Sequence, residues 1–148
     1  MRTLSLLFSF LFFCSLLDAQ TVQIEYAGDP LPEKDRRNIE QFISYEVNFY
    51  TQFGLPDTLT LQLHVFKDKK EAMEYLESVN ISLPFKAAGI YSPKLQKAII
   101  LGREKGRERS LAIIYHELSH HFVRQILGRF PPSWLNEGLS EYFEHCKI

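Results

Sequence analysis

The sequence predicts an α+β fold, and three features carry that prediction. Two segments, TVQIEYAG (21–28) and TLTLQLHVF (58–66), alternate apolar and polar residues with strand periodicity. Amphipathic stretches with three- and four-residue apolar spacing separate and follow them. Between residues 87 and 101, two short apolar runs flank the turn-like Ser92-Pro93-Lys94, the pattern of a β-hairpin. The order β-α-β-α-β-β-α-α describes one compact domain with a small mixed sheet.

The first 20 residues stand outside that domain. Arg2 precedes LSLLFSFLFFCSLL, and Asp18-Ala19-Gln20 follows before the alternating pattern begins. A basic start, a short apolar middle and a small residue at the boundary read as a secretory signal peptide, cleaved after Ala19 or Gln20. The expected product is secreted or periplasmic, with no membrane anchor after cleavage. Cys14 follows the bulky Phe13, which argues against a lipid-anchored form. The remaining domain, residues 21–148, keeps a formal net charge of −1, because Arg2 and Asp18 leave together. That balance points away from nucleic acid and from an anionic membrane surface. Cys146 is then alone, so no intramolecular disulfide is available.

Val22, Ile24 and Tyr26 share one face of the first strand, and Pro30 and Pro32 turn the chain. From Glu33 to Phe53, Ile39, Phe42, Ile43, Val47 and Tyr50 mark one face of a helix closed by Gly54 and Pro56. Leu59, Leu61, Leu63 and Val65 face inward on the second strand, leaving Thr60, Gln62 and His64 on its other face. Asp68 caps a helix through Ala72, Tyr75, Leu76 and Val79. The hairpin strands are Ala87–Tyr91 and Ala98–Leu101. A helix over 108–127 ends at Gly128, and Ser133 caps a last helix running to His145.

The polar load falls on the last two helices. Four of the five histidines lie after residue 115, three of them in the stretch Ile113-Ile114-Tyr115-His116-Glu117-Leu118-Ser119-His120-His121-Phe122. His116 and His120 differ by about 40° around a helix, so both imidazoles reach one metal ion. Glu117 sits about 100° from His116, placed to approach a metal-activated water without ligating. This is the HExxH pattern, whose glutamate is a general base in metallopeptidases. The competing reading is ordinary packing, since Leu111, Ile114, Leu118 and Phe122 form an apolar stripe on the same helix.

A catalytic zinc needs a third protein ligand and an open position for water. Val123 and Ile126 stand where a metzincin would need Gly and His, which excludes that ligand set. Instead PSWLNEGLSEYFE (132–144) offers Glu137, separated from His120 by 16 residues across a Gly-Arg-Phe-Pro-Pro turn. Glu141, one turn further along, is placed to accept a hydrogen bond from a ligating histidine. A solvated acidic helix face is the bland alternative for this glutamate pair. His121 and His64 are read as ordinary residues, and Cys146 as a bystander thiol near the terminus.

HELSH followed by WLNEGLSEYF resembles the gluzincin metallopeptidases of the peptidase MA-like superfamily, with thermolysin and aminopeptidase N as distant relatives. The resemblance covers residues 110–144 most specifically and the preceding hairpin more weakly. It implies a minimal zincin-like domain holding one zinc through His116, His120 and Glu137. Glu117 would be the catalytic base and Glu141 would orient His116. It further implies that Ala87, Ala88, Gly89, Ile90 and Tyr91 form an edge strand along which an extended peptide substrate pairs. Aminopeptidase relatives carry a glutamate on that strand for the substrate's amino group, and AAGIY has none, which favours endopeptidase action. Larger gluzincins take an oxyanion-stabilising Tyr or His from a C-terminal subdomain. The candidates here are Tyr91, Tyr115, Tyr142 and His145, and the sequence selects none of them. The expected activity is thus zinc-dependent hydrolysis of peptides or proteins. The alternative is a non-catalytic or truncated zinc-binding module that engages peptide or envelope partners.

Overall fold

The computed structural model describes residues 21–83, 86–103 and 106–145. The signal peptide expected over 1–20 and Cys146 lie outside these residues. The fold is α+β. Its elements are β1 (Thr21–Gly28), α1 (Glu33–Tyr50), β2 (Thr58–Val65), α2 (Lys69–Ser78), β3 (Gly89–Ser92), β4 (Lys97–Ile100), α3 (Arg107–Leu127) and α4 (Ser133–Glu144). Among the described residues no helix is long and apolar enough to cross a membrane.

The four strands of the described residues form one mixed sheet in the order β1-β2-β4-β3. β1 and β2 are parallel over their full length, β4 is parallel to β2, and β3 is antiparallel to β4. β3 is therefore an edge strand. The Leu101 N–H donates to Ala88 O at 2.9 Å, which fixes the alternation of the hairpin. Residues 88, 90 and 92 exchange bonds with β4, and the backbone groups of 87, 89 and 91 turn outward.

Both sheet faces are covered, for a reason visible in the strands. Leu59, Leu61, Leu63 and Val65 of β2 join Ile39 and Phe42 of α1, Leu111, Ile114, Leu118 and Phe122 of α3, and Phe143 of α4 in the main core. Aromatic pairs fasten these helices together: Phe42 stacks on Tyr115 at 4.3 Å and Tyr50 on Phe122 at 5.4 Å. The other face of the sheet is not open to water. Phe66, Ile99 and Leu101 pack there against Ala72 and Leu76 of α2. His64 consequently lies half-buried, stacked 4.2 Å from Phe66, rather than on a solvated strand face.

Local signals account for most helix ends. The Asp68 carboxylate accepts the Glu71 N–H at 3.0 Å, as a capping residue should. Gly128 ends α3 in the left-handed conformation, φ 65°. Two boundaries differ from expectation. The α1 pattern tightens into a 3-10 turn over Thr51–Phe53. Ser133 is the first helical residue of α4 rather than its cap. That place belongs to Pro132, whose own ring fixes the entry angle.

One buried residue breaks the pattern of α1. Glu46 lies four residues from both Phe42 and Tyr50, inside the apolar stripe, and is 0% exposed. Neither carboxylate oxygen has a hydrogen-bond partner. The nearby Ser119 hydroxyl gives its proton to Tyr115 O at 2.9 Å. Burial drives the Glu46 pKa up to about 8.

Candidate metal centre

The apolar stripe of α3 turns Leu111, Ile114, Leu118 and Phe122 inward, so the neighbouring stripe carrying His116, Glu117 and His120 emerges at its border. The tight turn after Gly128 brings α4 back beside α3 and presents Glu137 to the same point. His116 Nε2 and His120 Nε2 are 3.2 Å apart. Glu137 Oε2 lies 3.6 Å from the first and 3.7 Å from the second. These three residues are the group that could hold a metal ion among those described.

The donor set fits such an ion on two grounds. Ligands about 2.0–2.1 Å from a tetrahedral zinc stand about 3.3 Å from one another, and the three separations bracket that value. The second ground is proton placement. His116 Nδ1 lies 3.0 Å from Glu144 Oε2. A carboxylate only accepts, so the contact places a proton on Nδ1 and turns Nε2 to the centre. His120 Nδ1 lies 2.9 Å from Ser140 Oγ in a fully buried contact, which fixes the second ring. Two imidazole nitrogens and a carboxylate oxygen converging this closely repel unless a proton or cation lies between them. Burial and the neighbouring His116 both lower the His120 pKa, favouring the neutral ring a metal requires.

Glu144 takes the place expected of Glu141, and helix geometry supplies the reason. The buried face of α4 is centred on Ser140 and Phe143. Relative to Glu137, these lie at about −60° and −120° around the axis, and Glu144 at about −20°. Glu141 lies at about +40°, rotated away from α3, and is exposed. Ser140 was not expected here either, because a small polar residue inside an acidic segment carries little signal.

Glu117 is buried beside β3. The Tyr91 backbone N–H hydrogen-bonds its carboxyl, one of the groups β3 turns outward. Burial lifts the Glu117 pKa to about 8, and the charges of Glu137 and Glu144 add to that lift. Gly89 leaves the space the side chain occupies. A Cβ there would stand 2.7 Å from Glu117 Cγ and 3.0 Å from Glu117 Oε1. The expected edge strand Ala87–Tyr91 is thus present as Gly89–Ser92, with Ala87 and Ala88 leading into it.

The remaining aromatic and histidine candidates have other contacts. Tyr91 stacks on His121 at 4.9 Å and Tyr115 on Phe42, both almost wholly buried. The Tyr142 hydroxyl lies 3.3 Å from that of Tyr45, and His145 is exposed. His121 is a core residue. Its Nε2 accepts the Gln62 N–H at 3.0 Å, one residue before β4 joins β2. Burial lowers its pKa to about 4, so it stays neutral. Comparison of the chain with protein-family models, curated proteins and solved structures found no match, so the gluzincin resemblance rests on the motif residues themselves.

Proposed function

We propose that this protein is a zinc-dependent metallopeptidase, exported through its N-terminal segment and acting on extended peptides. The observation that carries this reading is the convergence of His116 Nε2, His120 Nε2 and Glu137 Oε2 within 3.2–3.7 Å, beside a buried carboxyl and an open strand edge. His116, His120 and Glu137 would hold the ion. When bound, zinc supplies Lewis acidity towards a carbonyl oxygen and brings the pKa of a coordinated water to about 7.

The chain's own residues do the rest. Glu144 and Ser140 hold the two rings with their Nε2 atoms directed inward. Gly89 and the Tyr91 carbonyl offer outward backbone groups to an extended peptide, which gives affinity with little dependence on side chains. Glu117, whose ionised form a cation at the site would favour, accepts a proton from the attacking water at a carboxylate oxygen and returns it to the departing amine. Its bond to the Tyr91 N–H ties the base to the strand that positions the peptide. The endopeptidase preference rests on the absence of a carboxylate from β3, GIYS.

The deciding experiment joins metal analysis of the mature protein to digestion of a broad peptide library before and after chelation. One zinc per chain and chelator-sensitive cleavage are expected. Glu117→Gln should retain the zinc and lose at least about 100-fold in hydrolysis. Wild type and variant equally inert, both with zinc bound, would favour a non-catalytic module over the enzyme.

A further inference from the structure

We infer that the basic groove at the open start of β3 is a subsite for carboxylates of the bound peptide, on the carboxyl side of the cleaved bond. The inference rests on the peptidase reading above and names a substrate class for that site. A groove of about 540 Å³ is lined by Lys67, Lys69, Lys86, Arg103 and Arg109, together with Ala87 and Ala88. Among the described residues its one acidic lining residue, Asp68, is committed to capping α2. Arg103 is paired with Asp29 at 2.9 Å. Lys67 and Lys86 are exposed and have no ion-pair partner among the described residues.

The groove and the candidate metal centre lie along the same strand and the same helix. Gly89 sits against Glu117 and Ile113, and Ala87 is two residues upstream, about 7 Å at the rise of a strand. Arg109, Ile113 and Glu117 follow one another at four-residue steps on α3. Arg109 therefore lies about 12 Å from Glu117 along the same stripe. Lys69 Nζ donates to Ala87 O at 3.5 Å, which closes the strand edge there and places an ammonium at its end. An extended peptide paired with Gly89–Ser92 thus meets the cations two to four residues from the bond beside Glu117.

Antiparallel pairing, the more stable kind per residue, sends the peptide's carboxyl end towards the start of β3. Asp, Glu or a free C-terminal carboxylate are the groups such a cluster attracts. Exposed lysines reward them modestly and in a salt-dependent way.

The test reads binding, so it is separate from turnover. Zinc-loaded mature protein carrying Glu117→Gln is titrated calorimetrically with amidated ten-residue peptides. These are identical except for three consecutive Asp, Ala or Lys residues near the carboxyl end. The Asp peptide should bind roughly tenfold tighter than the Ala peptide, and the Lys peptide weakest. Raising NaCl from about 50 to 500 mM should erase the difference. Adding Lys67→Glu and Lys86→Glu should invert the order while zinc content stays unchanged. Equal binding of the three peptides, binding of none, or an Asp preference indifferent to charge reversal would each overturn the subsite. Should wild type cleave a broad library without any charge preference, the subsite falls and the peptidase reading stands. Should the charge-dependent binding order appear without any wild-type cleavage, the groove's binding of peptide carboxylates stands and the peptidase reading falls.

Discussion

Replacing Glu46 by Gln should make the protein more stable, and increasingly so as pH rises. Glu46 is fully buried and both its oxygens lack partners. Its pKa rises from 4.5 to about 8 on folding, chiefly through desolvation. The folded state thus holds a proton that the unfolded chain releases between those values. Stability relative to a non-titrating residue is fully present below about pH 4.5 and is lost as pH climbs to 8. Each pH unit across that window is worth about 1.4 kcal/mol, so the cost reaches roughly 3 kcal/mol at pH 7 and roughly 4 kcal/mol at pH 8. His121 has the opposite sign. Its pKa is lowered to about 4, so its contribution is present above about pH 6.5 and is lost as pH falls towards 4. The wild-type curve mixes the two, and only the difference between wild type and Glu46→Gln isolates the glutamate. Urea unfolding of both metal-free proteins at pH 5, 6, 7, 8 and 9 supplies it. The slope is diagnostic, because a buried amide carries its own desolvation cost at every pH. A difference constant to within about 0.5 kcal/mol between pH 5 and 8 would refute the account of Glu46 as a buried, unpartnered acid.

Other changes address the centre directly. His120→Ala should abolish tight zinc binding, measured by metal content after dialysis, because it removes one of three donors. Glu144→Ala should weaken zinc affinity about 10–100-fold in a competitive chelator titration, whereas Glu141→Ala should change it by less than about twofold. Gly89→Ala should displace the Glu117 side chain, lowering hydrolysis at least about tenfold with zinc content unchanged. Wild-type turnover in that variant would show that Glu117 does not work from its observed position.

The fold was legible because its periodicities are undisturbed. β1 is found over the residues its alternation marks, and Leu59, Leu61, Leu63 and Val65 are all buried. The covering of the second sheet face was harder to see. α2 reaches it with only Ala72 and Leu76 fully buried, and His64 reads as polar although its ring packs like an aromatic. At the centre, i,i+4 spacing on α3 was enough to bring His116 and His120 together. The partner of His116 was misplaced because spacing along α4 does not reveal its rotation. Ser140 and Phe143, both fully buried, set that rotation, and only tertiary packing shows which side they take. Glu46 was within reach, since it stands in the middle of the Phe42–Tyr50 stripe. Its burial overrides the usual preference of glutamate for water.

His120 and His121 are neighbours with opposite orientations. One faces the convergence of donors, and the other is hydrogen-bonded to the backbone of β2. The second contact acts as a keyway that stops α3 from turning about its own axis. Side-chain tips ride about 5–6 Å from a helix axis, so a turn of only about 10° would carry an imidazole nitrogen roughly 1 Å sideways. Such a slip is about half the length of a metal–nitrogen bond. The sheet thereby sets the angular tolerance of the donor cluster through a histidine that is not one of its three donors.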